Sequence, residues 1–337
     1  MHRKIGIIGL GYVGLPLAIE FGKKYETIGY DTNLDRISKL SKGIDSTGEL
    51  TKRNLQSSKK IVFTSRLKDL STCNYFIISV PTPIDKKNNP DLKLLFKATS
   101  DVASLLKKND IVIYESTVYP GCTEEECVPI LEKKSKLKYN KDFFCGYSPE
   151  RISPGDKKRT LTKIIKITSG SNSKIANEVD NLYKSIIKAG THKTSNIRIA
   201  EAAKVIENCQ RDVNIAFMNE LSMLFNMMNI NLSEVLDAAA TKWNFINFKP
   251  GLVGGHCIGV DPYYLNFKAK KVGYNTPLIS NARKLNNSMH IYIYNRIINY
   301  FKSINKKINK QNFLILGITF KENCSDIRNS RVIELYK

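Results

Sequence analysis

Residues 4–14, KIGIIGLGYVG, run from a short apolar strand into Gly9-Leu10-Gly11-Tyr12-Val13-Gly14 and on into an apolar-periodic helix. A strand, a G-x-G-x-x-G turn and a helix in this order are typical of a dinucleotide-binding βαβ unit. Gly9 permits the tight turn, Gly11 lets the backbone approach a pyrophosphate, and Gly14 lets the helix pack closely on the strand. The helix N-terminus then faces the phosphates. This stretch predicts that the chain opens with a Rossmann-like domain.

A carboxylate follows the second predicted strand, at Asp31 in the segment Ile28-Gly29-Tyr30-Asp31. It stands at the place where such folds hold the ribose hydroxyls. A carboxylate there repels a 2′-phosphate, so the sequence favours NAD over NADP. Arg36 keeps NADP open, because a nearby cation can accommodate that phosphate.

Alternating strands and helices from residue 4 to about 190 predict an α/β domain built on a doubly wound parallel sheet. The predicted strands lie near residues 4–8, 26–30, 60–63, 74–79, 110–114, 143–147 and 164–169. Residues 198 to about 300 are predicted to be nearly all helix, interrupted by a loop at 243–261, and a new strand is predicted at 312–317.

A second informative stretch, VGGHCIGVDPYYL at residues 253–265, places Cys257 among glycines and four residues ahead of Asp261. A thiol framed by Gly254 and Gly255 can be approached closely by a substrate and by backbone N–H groups, as a covalent intermediate and its oxyanion require. The alternative is a buried cysteine in a glycine turn. For a cysteine considered alone that alternative is favoured, because free cysteines are among the most buried residues.

The alanine-rich segment AEAAKVIEN at residues 200–208 has strong helix propensity and continues to about 228. Lys204 and Asn208 are four residues apart and therefore share a helix face. The amide can donate to a developing oxyanion, while the ammonium stabilises charge or exchanges a proton. The alternative is a solvated helix face, and the functional interpretation depends on this pair meeting Cys257.

Composition limits the function classes. The chain has 337 residues, enough for two or more domains, and its seven cysteines are scattered without a C-x-x-C pair. These cysteines predict a reducing, cytoplasmic location, with no disulfide framework and no metal site. No apolar run reaches the roughly 18 residues that cross a bilayer, so no membrane partner is expected. The net charge of +22 is spread along the chain without a recognition motif, which argues against a specific nucleic-acid-binding module.

Taken together, the motifs resemble the UDP-glucose/GDP-mannose dehydrogenase family, NAD-dependent enzymes that oxidise the 6-hydroxymethyl group of a nucleotide sugar to a carboxylate. The motifs that carry the resemblance are GLGYVGLP at 9–16, VPTP at 80–83, ESTVYPG at 115–121, the Lys204 helix, the Cys257 loop and LGITFKEN at 316–323. Within the family, the chain is similar to the branch that acts on UDP-N-acetylhexosamines in bacterial surface polysaccharide synthesis (capsule and O-antigen). The branch markers are CTEEEC at 122–127, YSPERISPGD at 147–156 and HCIGVDPY at 256–263. Val260 and Pro154 stand where the UDP-glucose branch usually has a lysine and a second glutamate, so roles that rest on those two residues do not transfer.

The resemblance implies a route through Cys257, which adds to an aldehyde as a thiohemiacetal and is then oxidised to a thioester that water releases. Lys204 and Asn208 would act on the O6 oxygen, and Asp261 would orient the cysteine loop or act as a base. Thr117 and Glu150 would position the water. Which side chain carries each proton stays open at this point. The residues expected to contact NAD are Gly9, Gly11, Tyr12, Val13, Gly14, Asp31, Arg36, Pro81, Thr82, Ser116, Thr117 and Arg328. Those expected to contact the sugar nucleotide are Glu150, Arg151, Lys204, Asn208, Phe248, Gly254, Gly255 and Lys321.

The expected domains are an NAD-binding domain at 1–195, a central helical domain at 196–305 that forms a homodimer, and the beginning of a truncated second Rossmann-like, uridine-binding domain at 306–337. Two functional hypotheses follow. The first is a four-electron dehydrogenase of UDP-N-acetylhexosamines, which the Cys257, Lys204, Asn208 and Asp261 set favours. The second is a truncated non-catalytic fragment that retains NAD binding. A two-electron hydroxyacid dehydrogenase would share the Rossmann start and the lysine-asparagine helix, but it does not need a cysteine in a glycine loop.

Overall fold

The fold was analysed in a computed structural model, which describes residues 3–152, 156, 158–319, 327 and 329–337. The chain divides into two compact units, Met1–Val205 and Ile206–Lys337. The boundary between them falls inside a single long helix.

The first unit is built on an eight-stranded sheet whose members largely match the predicted strands. The strands are β1 (Lys4–Ile8), β2 (Glu26–Tyr30), β3 (Ile61–Thr64), β4 (Tyr75–Ile78), β5 (Ile111–Tyr114), β6 (Phe144–Tyr147), β7 (Lys166–Gly170) and β8 (Thr191–Lys193). Their order in the sheet is β3-β2-β1-β4-β5-β6-β7-β8. The first six strands therefore have the 3-2-1-4-5-6 arrangement of the doubly wound nucleotide-binding fold.

The far end of the sheet departs from the predicted all-parallel arrangement. Strands β1 to β6 pair in parallel, whereas β7 runs antiparallel to β6, and β8 is parallel to β7. A parallel neighbour needs a crossover connection, which is usually a helix. Between β6 and β7 the described residues contain only a short 3-10 turn at Leu161–Lys163, so the chain returns beside β6 in the opposite direction. Strand β8 was not predicted at all.

Helices cover the sheet in the first unit. They are α1 (Gly14–Gly22), α2 (Leu34–Ser41), α3 (Lys52–Gln56), α4 (Lys93–Ala103), α5 (Val128–Ser135) and α6 (Ser173–Lys184). The central strands β4 and β5, YFII and IVIY, are buried at every position. Such continuous apolar runs are what a parallel sheet covered on both faces requires. Strands β1 and β4 are neighbours from which the chain winds in opposite directions, so the loops after them flank the crevice where such sheets bind ligands.

The second unit is helical in the part of the chain that the structure describes. Its helices are the greater part of α7 (Ile197–Met227), then α8 (Leu232–Ala239), α9 (Asp261–Lys271), α10 (Pro277–Ser303) and α11 (Arg331–Tyr336). The predicted long helix over residues 200–228 corresponds to α7. The strand predicted at 312–317 is wrong, because a strand needs a hydrogen-bonded neighbour and no described residue pairs with this segment.

None of the helices in the described ranges combines the length and the apolar character needed to cross a membrane.

Candidate active site

The turn after β1 has the geometry that the glycine spacing predicted. Gly9 has a φ of +92°, in the left-handed region, and its N–H donates to the Tyr30 carbonyl at 2.9 Å. A Cβ on Gly14 would lie 1.8 Å from the Gly9 oxygen, so no side chain fits there. A Cβ on Gly11 would meet no atom of the described residues within 4 Å. The backbone at Gly11 is thus open to a ligand, and the turn fits the pyrophosphate of a dinucleotide.

Asp31, directly after β2, is fixed beside this turn. Its Oδ2 accepts the Leu10 N–H at 2.9 Å, and its Oδ1 accepts the Asn33 N–H at 2.9 Å. Each carboxylate oxygen has more than one lone pair, so the group can accept ribose hydroxyls while it stays bound to the backbone. This placement supports the sequence-based role of Asp31 in holding the ribose.

Arg36 is buried, and its Nε and Nη1 bind groups in its own neighbourhood. Its Nε donates to the Leu10 carbonyl at 2.9 Å, and its Nη1 lies 2.7 Å from Asp45 Oδ1 and 3.0 Å from the Ser46 hydroxyl. The Asp45 carboxylate balances the guanidinium charge that a 2′-phosphate would need. Arg36 therefore helps to shape the cofactor turn, and its placement favours NAD rather than NADP.

Two side-chain hydrogen bonds connect the loops after β4 and β5. The Thr82 hydroxyl donates to the Thr117 carbonyl at 2.7 Å, and the Ser116 hydroxyl donates to the Val80 carbonyl at 2.7 Å. Both hydroxyl protons are donated to backbone carbonyls, so the two side chains hold the loops that form the wall of the crevice. Pro81, which lies between Val80 and Thr82 in the sequence, is exposed, and Thr117 is half-buried.

Glu150 belongs to a buried ionic cluster with Lys166 and Glu115. The Lys166 ammonium lies 2.6 Å from Glu115 Oε2 and 3.3 Å from Glu150 Oε2. The Tyr183 hydroxyl donates to the other oxygen of Glu115, and the ammonium lies 5.7 Å from the centre of the Tyr183 ring. Burial lowers the pKa of Lys166, but the carboxylates of Glu115 and Glu150 outweigh this and raise it above its usual value. Lys166 therefore remains a cation inside the sheet domain.

A second buried carboxylate anchors the first turns of α7 within the sheet domain. Glu201 accepts the N–H groups of Gly121 at 2.5 Å and Thr123 at 2.9 Å, at the start of the segment that leads into α5. Burial raises the pKa of Glu201 to about 7. Lys204, one turn further along α7, is also buried. A solvated helix face, the alternative for Lys204 at the sequence level, is therefore wrong.

In the helical unit, the cysteine loop leads directly into α9. The Asp261 N–H donates to the Cys257 carbonyl at 2.8 Å, and Pro262 occupies the first turn of the helix. Gly255 has a φ of +83°, and a Cβ on Gly254 would lie 2.4 Å from the Asn329 carbonyl oxygen. Cys257 itself is exposed, so the buried-cysteine alternative is wrong.

Asn208 and Asp261 meet in this unit. The Asn208 amide nitrogen lies 2.5 Å from Asp261 Oδ2, and both side chains are buried. Because Asp261 also bonds the Cys257 carbonyl through its own N–H, one short path of contacts runs from α7 to the cysteine loop. An amide nitrogen has two hydrogens, so Asn208 can bind Asp261 and still donate to a substrate oxygen.

A buried ion pair braces the same unit from α10. The Arg283 Nη1 pairs with Asp212 on α7, and the Asn286 amide donates to Asp212 Oδ1 at 2.7 Å. Asn219, two helical turns further along α7, donates to Asn286 Oδ1 at 2.8 Å. These contacts fix α10 against the helix that carries Asn208.

The other predicted site residues make local contacts or are half-buried. Arg151 Nη1 donates to the Ile165 carbonyl at 2.9 Å, and Phe248 is half-buried in the loop before the cysteine. Tyr12 and Val13 are half-buried in the glycine turn. Lys321 and Arg328, predicted to bind substrate and cofactor, lie outside the described residues.

Sequence reasoning missed Lys166 and the roles of Glu115 and Tyr183. One signal was available: Lys166 lies within the strand predicted near residues 164–169, and in the structure every residue of β7 is buried. A lysine inside such a strand needs a carboxylate partner. Its partners lie 51 and 16 residues away, so no local pattern could identify them.

Family models match the two parts of the chain that hold these residues. Residues 3–187 match the NAD-binding domain of the UDP-glucose/GDP-mannose dehydrogenase family, and residues 198–288 match its central domain. The chain belongs to the UDP-glucose/GDP-mannose dehydrogenase family. Its cofactor is therefore NAD, in agreement with the glycine turn and the placement of Asp31.

Relatives within this dehydrogenase family are similar over almost the entire chain. A UDP-N-acetyl-D-glucosamine 6-dehydrogenase of Pseudomonas aeruginosa is 54% identical over 334 residues, which are 99% of this chain and 79% of that protein. The protein CapL of Staphylococcus aureus is 52% identical over 335 residues, with the same coverage of each chain.

Solved structures of the family share the fold. The UDP-D-ManNAc dehydrogenase of Pyrococcus horikoshii superposes with a TM-score of 0.92 at 34% identity, covering 99% of this chain and 80% of that chain.

Proposed function

We propose that the chain is an NAD-dependent UDP-N-acetylhexosamine 6-dehydrogenase, which converts the C6 alcohol of the sugar to a carboxylate in two oxidations. The observation that carries this proposal is the exposed Cys257 in a glycine loop, joined through Asp261 to the amide of Asn208. A dehydrogenase that stops at the aldehyde or ketone has no use for this thiol. A thiol becomes necessary when an aldehyde must be retained for a second oxidation.

Bound NAD supplies the hydride acceptor for each oxidation, and the protein residues handle the carbon centre. After the first oxidation, the Cys257 sulfur forms a bond to the aldehyde carbon, which gives a thiohemiacetal. Loss of a hydride and a proton from this adduct gives a thioester. Water then forms the new C–O bond as the C–S bond breaks, and the thiol is regenerated. One alcohol, one water and two NAD⁺ thus yield one carboxylate, two NADH and three protons.

Lys204 and Asn208 act on the O6 oxygen in this proposal. Both side chains are buried and lie one helical turn apart on α7, so the ammonium and the amide share one face of the helix. The ammonium and the amide hydrogens can stabilise the alkoxide or oxyanion that develops there. Asp261, bonded to Asn208, orients both the amide and the cysteine loop.

Thr117 and Glu150 position the water that releases the product. They follow β5 and β6, which are neighbours in parallel, so both residues come from the same edge of the sheet. Ligands of doubly wound sheets bind at that edge. Arg151, Phe248, Gly254 and Gly255 are proposed to contact the sugar nucleotide.

The relatives' names indicate which sugars to test. The P. aeruginosa relative is a UDP-N-acetyl-D-glucosamine 6-dehydrogenase, and the P. horikoshii relative a UDP-N-acetyl-D-mannosamine dehydrogenase. The higher identity to the former favours UDP-N-acetylglucosamine as the first substrate to test, followed by its galacto and manno epimers. The product would serve surface polysaccharide synthesis in the cytoplasm, where the scattered cysteines stay reduced.

We also infer that the chain acts as a homodimer through the helical domain predicted at 196–305. Ile206, Phe217 and Leu224 are each about half-exposed and are spaced 11 and 7 residues apart on α7, which is close to whole helical turns. They form an apolar stripe, which we call the α7 stripe. A second copy of the same stripe is a self-complementary partner, as two-fold symmetry requires.

The test of the activity is the amount of NADH formed per molecule of sugar nucleotide consumed, followed at 340 nm with each of the three epimers. Two NADH per sugar, with a uronic acid as product, are expected for the preferred epimer. Cys257→Ser should form no acid and should bind NAD as the wild type does, because Cys257 is in the helical unit and away from the glycine turn in the chain. One NADH per sugar, or full turnover by Cys257→Ser, would exclude the thioester route.

A further inference from the structure

We propose that Lys166 is a positioning residue for product release, which holds the Glu150 carboxylate and the Thr117 segment in the arrangement that thioester hydrolysis needs. The inference rests on the proposed function. It adds a residue that lies outside the sequence motifs quoted above. The observation behind it is the ammonium of Lys166 between the carboxylates of Glu115 and Glu150, at 2.6 and 3.3 Å.

The hydrogen bonds of Glu150 fix its orientation. Its Oε1 accepts the backbone N–H groups of Arg151 and Ile152, each at 2.6 Å, and its Oε2 accepts from Lys166. One oxygen is therefore held by the backbone of its own loop and the other by a side chain from β7. Among the described residues, Lys166 is the side chain that binds this carboxylate, so without it the contacts that remain are the two local backbone N–H groups on a single oxygen.

Lys166 is itself held from the other side. Glu115 binds the ammonium with one oxygen and accepts the Tyr183 hydroxyl with the other, and both partners are fully buried. Glu115 and Lys166 are 0% and 2% exposed in their side chains, whereas Glu150 is 10% exposed. Exposure within the cluster therefore rises from Glu115 to Glu150, whose side chain is the most exposed of the three.

The cluster also links the two loops that carry the proposed water-binding groups. Glu115 directly follows β5 and precedes Thr117 by two residues, and its N–H continues the sheet by donating to the Ile78 carbonyl at 2.9 Å. Glu150 follows β6. Lys166 reaches both from β7, which is possible because β7 returns antiparallel to β6 and begins near the end of that strand. One ammonium therefore sets the spacing of the Thr117 and Glu150 segments.

A purely structural role does not need this arrangement. One buried carboxylate is enough to balance one buried ammonium, and apolar residues of similar volume often stabilise a core as well as an ion pair does. Here a second carboxylate, that of Glu150, shares the same cation. Hydrolysis needs a water held within hydrogen-bond reach of two groups at once, and a misplacement of about 1 Å can cost about 100-fold in rate. Lys166 is placed to prevent that misplacement.

The experiment compares the wild type with Lys166→Met, Lys166→Arg and a matched control, Lys184→Met. Lys184 lies on α6 in the same domain and pairs with Asp180, and its side chain is 55% exposed. Rapid-mixing kinetics measure the NADH formed in the first turnover and the later steady rate. Mass spectrometry of acid-quenched protein measures the fraction of Cys257 held as the acyl adduct.

For Lys166→Met we expect the two first-turnover NADH to be retained, the steady rate to fall about 100-fold, and the acylated fraction to rise above half. Lys184→Met should match the wild type. Lys166→Arg keeps the charge but replaces the compact ammonium with a longer, planar guanidinium, and should fall between them. Hydroxylamine is a stronger nucleophile than water. Its nitrogen bonds to the acyl carbon as the C–S bond breaks, giving a hydroxamate and the thiol. It should restore turnover of Lys166→Met at least tenfold and change the wild type little.

Other results would overturn the inference in distinct ways. Slow formation of the first NADH in Lys166→Met, or no acyl adduct, would mean that the residue acts before hydrolysis. If Lys166→Met does not fold, the double variant Lys166→Met/Glu115→Gln removes one unpaired carboxylate. Fast hydrolysis by that variant, or its failure to fold, would show that Lys166 serves only packing. No NADH from the wild type with any epimer would instead reject the proposed function.

Discussion

The amide nitrogen of Asn208 lies 2.5 Å from Oδ2 of Asp261, although the two residues are 53 positions apart in the chain. Both side chains are buried, and Asp261 also begins helix α9 and binds the Cys257 carbonyl through its own N–H. The amide is therefore fixed in direction before any substrate binds. A donor fixed in this way stabilises a developing oxyanion without the cost of reorganisation.

Asn208→Ala should lower kcat/KM by about 100- to 1,000-fold, the usual effect of losing one oxyanion donor. It should also lower the free energy of unfolding by about 1–3 kcal/mol, because the buried Asp261 loses a hydrogen-bond donor. Steady-state kinetics and chemical denaturation measure the two effects. Asn226→Ala, at an exposed position of the same helix, is the control. Activity within threefold of the wild type in Asn208→Ala would remove this amide from the reaction.

Asp31→Ala should weaken NAD binding by about 10- to 100-fold, because hydrogen bonds to a charged group are worth about 1.5–3 kcal/mol. The KM for the sugar nucleotide should change little. Isothermal titration with NAD measures the effect on the free enzyme. Asp35→Ala removes a carboxylate that is exposed on α2 and paired with Lys39, and should bind NAD normally. Equal NAD affinity in both variants would exclude Asp31 from the ribose site.

Glu201 predicts a pH dependence of stability. Burial raises its pKa in the folded protein to about 7, above its usual value of 4.5. The folded state thus binds the proton more tightly than the unfolded state. The protonated Glu201 therefore contributes its full share of the free energy of unfolding at pH 4.5, and this contribution is lost as the pH rises through 7. At about 1.4 kcal/mol for each pKa unit, the loss is at most about 3 kcal/mol. Urea denaturation at pH 5 and pH 8 measures it.

The control for this titration is Glu201→Gln, which keeps the shape of the side chain and removes its ionisation. The difference in unfolding free energy between pH 5 and pH 8 should be smaller in this variant than in the wild type. Equal pH dependence in the two proteins would show that Glu201 does not titrate in this range.

Phe217→Asp tests the α7 stripe. A charge at the centre of an apolar face costs more free energy when that face is covered than when it is in water, so dimers should dissociate at micromolar concentrations. Light scattering after size-exclusion chromatography gives the mass of each species. Arg211→Asp changes an exposed residue on a different face of the same helix and should leave the mass unchanged. A wild-type monomer, or a dimeric Phe217→Asp protein, would contradict the stripe as the contact.

Local spacing was enough to predict the nucleotide turn. The requirements at Gly9 and Gly14 arise within a few residues of chain. The positive φ of Gly9 and the lack of room for a Cβ on Gly14, which would lie 1.8 Å from the Gly9 oxygen, follow directly from that spacing. The helical region and most strands were likewise predicted from periodicity. The family motifs identified Cys257, Asn208 and Asp261 as one set, but their contact depends on how α7 meets α9.

Features that depend on distant partners were missed or wrong. Lys166 acquires its role from Glu115 and Glu150, and the direction of β7 depends on a connection that lacks a helix in its described residues. The strand predicted at 312–317 has the correct composition but no neighbour among the described strands. The apolar pattern of a segment shows that it can form a strand, but a hydrogen-bonded neighbour decides whether it does.

The ion pair between Arg36 and Asp45 bears on how cofactor preference could drift during evolution. Removing Asp31 would weaken the grip on a ribose, yet it would not present a cation to a 2′-phosphate, because the guanidinium stays occupied by Asp45 at 2.7 Å. Removing Asp45 alone would release the guanidinium while Asp31 still repelled the phosphate. A change of preference from NAD to NADP would thus need substitutions at both Asp31 and Asp45, because neither one alone both frees the guanidinium and removes the repelling carboxylate.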